Sequence, residues 1–438
     1  MIMKGKRIIW GFFCALFLWV QMETTLHASK SSTEPTLYAK AAVLMDADSG
    51  RVLYGKNAQV PMAMASTTKI MTCIVVLENV EDLSEMVTVS SYAASMPKVK
   101  LYIKSGEQFQ VRNLLFSLML ESHNDAAVAL AEHVGKQKLP ELRDKDTSQF
   151  TVEESRKAVK AFAGLMNEKA RELGCEETYF ITPNGLDATE TFQGEDGQSI
   201  VMEHHTTAEE LAKIMSYCIR QSAKRDLFLK ITGTASYSFT ENGRSFSCNN
   251  HNNFLTMMDG AFSGKTGFTN KAGYCYVGAL ERDGRTYVVA LLACGWPNHK
   301  TYKWSDTREL MEYGLANYDY REYCPRIRLQ DVYVKAGVVQ DGSPYEEKYV
   351  SVEGAGLEEA LKLLTTKEER VVVKVKQRDS CEAPIKKGQE AGSVSYYLRD
   401  REGQEILLKE LPIFFSEDVK RINWGYVLRY VCRQYCIS

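Results

Sequence analysis

Alternating apolar positions predict two β-hairpins that lie far apart along the chain. Residues 41–54 carry two short apolar segments around Asp48-Ser49-Gly50, a pattern typical of a hairpin turn. Residues 274–281 and 285–294 alternate around Asp283-Gly284, a dipeptide favoured between paired strands. Helical apolar patterns lie between the hairpins, namely the stretch after Ser66 and residues 114–133, 154–173 and 208–219. This order predicts an α/β domain in which helices pack against one antiparallel sheet.

The pattern changes after Tyr323-Cys324-Pro325, where short β-rich segments separated by Gly, Asp and Pro begin. They lie at residues 328–334, 349–352, 371–375, 394–398 and 405–412. Regularly spaced strands of this kind predict a small all-β sandwich domain over residues 325–415, after a first domain over residues 36–322.

Residues 416–438 combine an apolar stripe at helical spacing with basic residues. The stripe consists of Val419, Ile422, Tyr426, Tyr430 and Val431, and the basic residues are Lys420, Arg421, Arg429 and Arg433. The pattern predicts an amphipathic helix, and Trp424 with the tyrosines suits the headgroup region of a bilayer. Two interpretations stay open, a helix that lies on a membrane surface and a final helix packed on the β-domain.

Residues 1–28 have the pattern of a secretory signal peptide. Lys4, Lys6 and Arg7 precede an apolar run over residues 8–20, and Ala28 offers a small residue for cleavage. The run is shorter than the roughly 20 residues that a membrane-spanning helix needs. We therefore expect an exported protein.

The composition sets limits rather than a function. A formal net charge of -2 over 438 residues gives no overall attraction to nucleic acid, so we expect no nucleic-acid partner. The 11 cysteines include no Cys-x-x-Cys pair and the 7 histidines form no zinc-like cluster, so we expect no metal site. The cysteines within apolar segments are predicted to be buried, namely Cys73, Cys218, Cys275 and Cys294.

Ser66 and Lys69 place a hydroxyl nucleophile and an amine on one face of a helical turn. Residues three apart on a helix are neighbours, so Lys69 can take the Ser66 proton as the oxygen attacks a carbonyl. The apolar run over residues 70–77 predicts a buried helix with Ser66 at its N-terminal end, where the dipole favours negative charge. Ser95-Met96-Pro97-Lys98 repeats the spacing, but its proline disfavours a helix. The Ser66 pair therefore predicts a serine acyl-transfer site.

Two further motifs follow in order, Ser122-His123-Asn124 and Lys265-Thr266-Gly267. With Ser66-Thr67-Thr68-Lys69 they form the motif triplet of penicillin-binding proteins and class A β-lactamases. Asp46-Ala47-Asp48-Ser49-Gly50 and Thr182-Pro183-Asn184-Gly185-Leu186-Asp187 extend the match. From about residue 36 to the C-terminus the chain resembles the serine D-Ala-D-Ala carboxypeptidases, the low-molecular-weight penicillin-binding proteins.

The resemblance implies both a fold and a set of partners. The fold is a β-lactamase/transpeptidase-like α/β domain, then the β-sandwich as a spacer or docking module, then the amphipathic helix on a membrane surface. The substrates are peptidoglycan stem peptides that end in D-Ala-D-Ala, β-lactam antibiotics are acylating inhibitors, and no cofactor is needed. The implied location is the outer face of the cytoplasmic membrane or the cell wall.

The resemblance also implies a catalytic set. Ser66 is the nucleophile, Lys69 is its base, Ser122 relays a proton to the leaving amine, and Asn124 hydrogen-bonds Lys69 and the substrate amide. Burial and the like charge of Lys265 would lower the pKa of Lys69 so that it can act as a base.

Substrate binding is assigned to the third motif. Lys265 and Thr266 would meet the substrate carboxylate on an edge strand, and Gly267 would let the substrate backbone approach closely. The backbone N–H groups of Ser66 and Phe268 would form the oxyanion hole.

Several alternatives stay open. The chain has no Leu-Asn dipeptide, which argues against the deacylation machinery of a class A β-lactamase. A transpeptidase differs only in that an amine resolves the acyl-enzyme, and no residue decides between the two. His123 stands where the family usually has Gly or Ala, so its ring is expected near the cleft, and a non-catalytic or weakly catalytic muropeptide-binding protein is a further alternative. Ser247-Cys248-Asn249 repeats the second motif in what we expect to be a loop.

Residues 135–160 depart from the family pattern. The segment is longer and more charged than expected between the second motif and the helix that contains Met166-Asn167. We expect a solvated insertion, and a lid over the cleft is the alternative.

Overall fold

The computed structural model describes residues 34–193 and 198–435. The predicted signal peptide, residues 1–28, lies outside the described residues. The strands of the first domain are β1 (Ala41–Asp46), β2 (Val52–Lys56), β3 (Met86–Thr88), β4 (Gln108–Gln110), β5 (Thr189–Gln193), β6 (Ser199–Glu203), β7 (Ser236–Glu241), β8 (Arg244–Asn249), β9 (Ala261–Thr269), β10 (Gly273–Arg282), β11 (Arg285–Leu292) and β12 (Asp319–Tyr323).

The helices of the first domain lie mostly between strands β2 and β9. They are α1 (Lys69–Asn79), α2 (Ser91–Ala94), α3 (Val111–Leu120), α4 (Asn124–Gly135), α5 (Val152–Glu172), α6 (Ala208–Ser216), α7 (Arg225–Gly233), α8 (Phe254–Met257) and α9 (Tyr302–Asn317). Ala65–Thr68, Lys136–Lys138 and Thr147–Gln149 form 3-10 turns, and Tyr217–Gln221 forms a π-helical turn.

An antiparallel sheet of order β2-β1-β11-β10-β9 forms the centre of the first domain. Both predicted hairpins are confirmed, since β1 pairs with β2 and β10 pairs with β11. The two hairpins join because β1 also pairs with β11. Strand β9, which carries Lys265, is the edge strand of this sheet, so one of its sides is free for other contacts.

Helices cover both faces of the sheet. Val43 and Met45 of β1 belong to a buried cluster that includes Ile74 of α1, whereas Leu44 packs in a second cluster with Leu310 of α9. Successive side chains of a strand point to opposite faces, so alternate residues of β1 contribute to different cores. The predicted α/β architecture is confirmed.

The helical pattern over residues 114–133 forms two helices rather than one. Helix α3 ends at Leu120 and α4 begins at Asn124, and between them Ser122 has a left-handed φ of 65°. A non-glycine residue rarely adopts this conformation, because its Cβ clashes with the backbone. The break places the second motif at the start of a helix instead of within one.

The prediction that Ser247 lies in a loop is wrong. Ser247 belongs to β8, which pairs with β7 across Asn242-Gly243. Asparagine followed by glycine between alternating segments is a strong hairpin signal. This signal outweighs the polar composition of the segment.

Residues 139–150 form a small ordered unit beside α5. Leu142, Phe150 and Ala158 make an apolar cluster of their own. Lys145 donates to the Glu154 carboxylate at 2.7 Å, and Glu154 also completes the capping box of α5 with Thr151. The expected insertion therefore has a core and is not solvated throughout.

The second domain consists of short strands, as predicted. They are β13 (Val332–Lys335), β14 (Lys348–Val350), β15 (Val352–Glu353), β16 (Leu361–Thr365), β17 (Arg370–Gln377), β18 (Ser380–Glu382), β19 (Glu390–Arg399) and β20 (Glu405–Phe415). One sheet has the order β14-β13-β18 and the other has the order β15-β20-β19-β17. Val334 and Val350 of the first sheet share a buried cluster with Val394 and Ile413 of the second, which makes a sandwich.

Strand β16 leaves the sandwich and pairs with β12 of the first domain, a contact that the sequence pattern did not predict. Leu364 of β16 is buried in the same cluster as Leu44 and Leu310. The Arg51 guanidinium also forms an ion pair with Glu369, beside this strand. The two domains are thus joined by a β-ribbon and a partly buried ion pair.

The C-terminal helix α10 spans Trp424–Tyr435, so it begins later than the predicted start at residue 416. Val419 exchanges backbone hydrogen bonds with Ile385, and the Ile422 N–H donates to the Ala336 carbonyl. These two apolar residues belong to the β-domain, and assigning them to a helical stripe was wrong. Val419 and Ile422 are only three residues apart, which is less than one helical turn. This spacing therefore fits an irregular β-segment as well as a helix.

Helix α10 contacts the β-domain through few side chains. The Tyr426 hydroxyl lies 2.8 Å from both the Val339 and Gly342 carbonyl oxygens, and Arg433 forms an ion pair with Asp341 at 2.6 Å. No described side chain of the helix is buried. Among the described helices, none combines the length and apolar character needed to cross a bilayer.

Candidate active site

The structure brings Ser66 and Lys69 together as their spacing predicts. The Lys69 Nζ lies 3.0 Å from the Ser66 Oγ. Ser66 occupies the 3-10 turn Ala65–Thr68, and Lys69 is the first residue of α1. Ser66 therefore stands one turn ahead of the N-terminus of a buried helix, and the helix dipole favours negative charge near that end.

Lys69 is completely buried and surrounded by oxygen atoms. Besides Ser66, its Nζ lies 2.9 Å from the Asn124 Oδ1 and 2.6 Å from the Asn184 carbonyl oxygen. Burial, reinforced by repulsion from Lys265, lowers the pKa of Lys69 well below its usual value. A neutral amine has two N–H bonds and one lone pair. The two carbonyl oxygens match the N–H bonds, and the lone pair is left for the Ser66 hydroxyl.

Lys265 of strand β9 is the second buried lysine of the site. Its side chain is 2% exposed and its Nζ donates to the Thr266 carbonyl at 2.9 Å. Burial lowers the pKa of Lys265 to about 7. The neighbouring Thr266 is half-buried and reaches the surface that Lys265 does not. Charge and hydroxyl thus lie on consecutive residues, of which the lysine is buried and the threonine half-buried.

The second motif supplies three side chains with different roles. Asn124 begins α4 and bonds Lys69, as expected. The Ser122 Oγ is buried and has no hydrogen-bond partner among the described residues. His123 is also buried, and its Nδ1 lies 2.7 Å from the Ser117 Oγ of α3. The His123 Nδ1 is therefore bonded within the protein, and burial, with a smaller contribution from the charge of the nearby Lys69, lowers the pKa of the ring.

Two close backbone approaches confine the 3-10 turn Ala65–Thr68, which carries Ser66. A Cβ on Gly267 would lie 2.9 Å from the Ser66 nitrogen and 3.0 Å from the Thr67 nitrogen. A Cβ on Gly185 would lie only 2.0 Å from the Ala65 carbonyl oxygen. Ala65 itself has a left-handed φ of 49°. The turn is packed between strand β9 and the segment around Asn184. The absence of a side chain at Gly267 therefore allows β9 to contact the Ser66 turn, in addition to any approach of a substrate backbone.

Phe268 follows Gly267 on the edge strand and is more accessible. Its side chain is 38% exposed, and its ring lies 4.6 Å from the ring of Tyr274 on β10. The Phe268 N–H belongs to strand β9 and the Ser66 N–H to the 3-10 turn Ala65–Thr68. These are the two segments that the small Gly267 brings into contact.

The sequence analysis missed the roles of three residues. Asn184 acts through its backbone carbonyl, which carries no side-chain signature. The buried Asp125 carboxylate accepts the Leu101 and Tyr102 N–H groups, both at 2.8 Å, and so fixes a loop beside Asn124. His204 lies 2.8 Å from the Thr68 hydroxyl, and burial lowers the His204 pKa to about 3. His204 therefore stays neutral, and its contact with Thr68 supports the 3-10 turn that carries Ser66.

The residues of the two duplicate motifs, which start at Ser95 and Ser247, do not come together as a catalytic group. Ser95 is exposed at the end of α2 and its hydroxyl donates to the Tyr92 carbonyl. Lys98 lies outside any helix, so the two are not neighbours on a helical turn. Ser247 sits on strand β8 with a bond from Ser238. The geometry thus separates the Ser66 motif from its duplicates.

Two families match different parts of the chain. Residues 28–138 and 155–293 match the peptidase S11 family, described as D-alanyl-D-alanine carboxypeptidase. Residues 330–421 match the family described as penicillin-binding protein 5, C-terminal domain. The gap in the first match falls within the 135–160 segment. The second match includes Val419, which the structure also places in the β-domain.

Individual relatives share both domains or the first alone. The chain is 28% identical over 404 residues to the D-alanyl-D-alanine carboxypeptidase DacF of Bacillus subtilis, covering 90% of this chain and 89% of the relative. The solved structure of the Streptomyces K15 DD-transpeptidase is 30% identical with a TM-score of 0.52, covering 65% of this chain and 99% of that one.

A third relative matches the fold over nearly the whole chain. The structure of DacD from Francisella tularensis is 22% identical with a TM-score of 0.60, and the match covers 91% of this chain and 97% of that one. The family matches, the motif geometry and the two-domain fold point to one assignment. The chain belongs to the peptidase S11 family of D-alanyl-D-alanine carboxypeptidases.

Proposed function

We propose that Ser66 is acylated by peptides that end in D-Ala-D-Ala and that Lys69 is its general base. The observation that carries this role is the buried Lys69 amine, which lies 3.0 Å from the Ser66 Oγ with Asn124 and Asn184 oxygens beside it. Ser66 attacks the carbonyl carbon of the penultimate D-Ala, and its proton passes to the Lys69 lone pair. The lowered pKa of Lys69 keeps a neutral fraction of this amine available.

The Ser122 hydroxyl completes the proton path. When the tetrahedral intermediate collapses, the C–N bond breaks and the leaving D-Ala amine needs a proton. The Ser122 Oγ is buried without a partner among the described residues, so it is free to accept a proton from Lys69 and donate one to the amine. Water then hydrolyses the ester on Ser66 and regenerates the enzyme.

Strand β9 orients the substrate. The Thr266 hydroxyl donates a hydrogen bond to the terminal carboxylate of the substrate. The positive charge of the adjacent buried Lys265 attracts the same carboxylate. The N–H groups of Ser66 and Phe268 bind the developing oxyanion, a term that is often about 3 to 4 kcal/mol per donor. The free side of β9 allows an extended peptide to lie along it.

A penicillin adduct tests the assignment of the nucleophile. Incubation with penicillin should give a covalent adduct that peptide mapping by mass spectrometry places on Ser66, and Ser95→Ala should label equally well. An adduct on Ser95 or Ser247 would contradict the proposal. Slow loss of the adduct is expected, in line with the missing Leu-Asn element.

Transpeptidation is a second candidate for the fate of the acyl-enzyme. It is favoured by the similarity to a protein named as a DD-transpeptidase, from Streptomyces K15. Adding an amine acceptor to the reaction separates the two, because a transpeptidase then forms a new peptide product at the expense of hydrolysis. We expect hydrolysis to dominate.

We also place the protein outside the cytoplasm, with α10 on a membrane surface. Trp424, Leu428 and Tyr435 are 88%, 65% and 82% exposed, and Arg429 adds positive charge. A protein that ends after Asn423 keeps every β-domain contact of Val419 and Ile422. It should remain folded and lose co-sedimentation with vesicles of anionic phospholipid. Unchanged sedimentation would contradict the membrane role.

A further inference from the structure

A loop over residues 97–104 lies beside the catalytic lysine. The Asn124 Nδ2 donates to the Pro97 carbonyl at 3.2 Å, and the Asn124 N–H donates to the Val99 carbonyl at 2.7 Å. The Oδ1 of the same side chain lies 2.9 Å from the Lys69 Nζ. A single residue therefore separates this 97–104 loop from the proposed base, so the loop forms one wall of the site.

The loop is held rigidly from two sides. The Asp125 carboxylate accepts the N–H groups of Leu101, Tyr102 and Ile103 at 2.8, 2.8 and 3.3 Å. On the outer side, an Arg244 Nη donates to the Tyr102 carbonyl at 3.2 Å. Leu101 and Ile103 are buried in the core, whereas Lys98, Val99, Tyr102 and Lys104 are exposed.

The outward charges of the loop are all positive. Lys98 and Lys104 are exposed, and among the described residues their side chains have no ion-pair or hydrogen-bond partner. The Lys100 Nζ donates to the Ala94 carbonyl and lies 5.4 Å from the centre of the Tyr102 ring. Two carboxylates that contact the loop or its anchor are engaged elsewhere. Asp125 is buried on backbone amides, and the Glu107 carboxylate pairs with Arg244.

Tyr102 is held in a costly conformation with its ring outside. Its φ is 62°, and 54% of the residue is exposed. A bulky residue with a left-handed backbone is unusual, and such strain persists only where the surroundings enforce it. Val99 is also 53% exposed. The wall thus combines cations with an accessible ring and an apolar side chain.

We propose that the 97–104 loop binds carboxylates in the acyl part of the substrate, upstream of the bond that Ser66 attacks. This inference rests on the proposed function of Ser66. The terminal carboxylate is assigned to Thr266 on β9, whereas the loop lies on the Asn124 side of Lys69. The part of an extended peptide that reaches the loop is therefore the acyl part. Lys98 and Lys100 supply the charge, and Tyr102 packs on the peptide. The preferred substrate is an acidic stem peptide rather than a neutral one.

Two pentapeptides that both end in D-Ala-D-Ala test this specificity. The first is L-Ala-γ-D-Glu-meso-diaminopimelyl-D-Ala-D-Ala with its upstream carboxylates free, and the second carries the same groups as amides. For the wild type, kcat/KM should favour the free acid by about tenfold or more, since a hydrogen bond to a charged group has this strength. The preference should decrease at high salt because exposed charges are screened.

Variants show whether the loop lysines cause the preference. Lys98→Ala/Lys100→Ala should bring the ratio of the two kcat/KM values close to one, and Lys98→Arg/Lys100→Arg should restore it. Lys138→Ala/Lys367→Ala removes the same charge at exposed positions outside the loop and should keep the wild-type ratio. A wild-type ratio near one would overturn the proposal. So would a preference that survives in the alanine variant, or one lost equally in the control.

The design separates this proposal from the catalytic one. If the wild type released D-Ala from neither peptide, that result would contradict the proposed function of Ser66 but would leave the binding role of the loop to be tested separately. Calorimetric titration of the free-acid peptide into Ser66→Ala then tests the loop alone. The added Lys98→Ala/Lys100→Ala change should weaken binding by about tenfold. Equal dissociation constants would rule out recognition by the loop.

Discussion

Gly267 lies directly against the backbone nitrogen of Ser66. A Cβ at position 267 would be 2.9 Å from that nitrogen and 3.1 Å from the Ala65 Cβ. Contacts below 3.0 Å require a shift, and here the neighbour is backbone in a turn that Gly185 also confines. The distance between strand β9 and Ser66 is therefore set by the absence of a side chain at position 267.

Gly267→Ala should lower kcat/KM by about 100-fold or more through the oxyanion hole. The added methyl group moves β9 away from Ser66, and the two proposed N–H donors no longer converge. Steady-state hydrolysis of a D-Ala-D-Ala peptide measures the effect. The control is Gly164→Ala, on an exposed face of α5 with no atom near the new Cβ. It should be neutral or slightly stabilising. An active Gly267→Ala enzyme would contradict the role of the close approach.

The two buried lysines should shape the pH dependence of kcat/KM. On the acid side the rate should rise with pH as Lys69, whose pKa is lowered by burial and by Lys265, loses its proton. On the alkaline side it should fall near pH 7 as Lys265 loses the charge that favours the carboxylate, because its pKa is about 7. The limbs belong to the coupled pair rather than to single residues.

Lys265→Arg separates the two limbs of this profile. Arginine keeps its charge at every pH of the assay, so the alkaline limb should move upward while the acid limb remains. The maximal rate should also fall, since a guanidinium does not fit a site built for an amine. An alkaline limb that stays in place would show that another group causes it.

His123 should support the site without taking part in proton transfer. Burial lowers the pKa of His123, and its Nδ1 is engaged by Ser117. His123→Gly should leave kcat within about tenfold, or roughly 1.4 kcal/mol of barrier. It should also reduce the free energy of unfolding by about 1 to 3 kcal/mol, because Ser117 loses its buried partner. Ser117→Ala should behave alike. A thousandfold loss confined to His123→Gly would make the imidazole a catalytic group.

The buried Glu132 of α4 should make the free energy of unfolding decrease as the pH rises. Its carboxyl is fully buried, the Ser90 hydroxyl donates to it at 2.8 Å, and burial raises its pKa to about 7. The folded protein then binds more protons than the unfolded chain, whose value is 4.5. The contribution of Glu132 to stability is fully present below pH 4.5 and is lost as the pH rises through about 7. The loss amounts to at most about 3 kcal/mol.

Glu132→Gln checks this dependence. The amide keeps the bond from Ser90 and cannot ionise, so the thermal midpoint measured between pH 5 and 8 should vary less than in the wild type. The variant should be the more stable protein at pH 8. A decline equal to that of the wild type would assign the effect to other groups.

The sequence predicted the parts of the site that depend on local spacing. Ser66 and Lys69 meet because they are three residues apart at a helix start, and both hairpins were visible from alternation and turn residues. The Asn184 carbonyl was missed because a backbone atom leaves no pattern. The break at Ser122 was missed because a serine in a left-handed conformation carries no local sequence signal. Val419 and Ile422 were misassigned since two residues at helical spacing also fit irregular β-structure.

The role of Ser66 as acylated nucleophile is tested most directly by measuring free D-Ala released from a pentapeptide that ends in D-Ala-D-Ala. The wild type should release D-Ala, Ser66→Ala should lose at least about a thousandfold in rate, and Ser95→Ala should retain full activity. Release of D-Ala by Ser66→Ala at a rate close to that of the wild type would contradict the proposed mechanism.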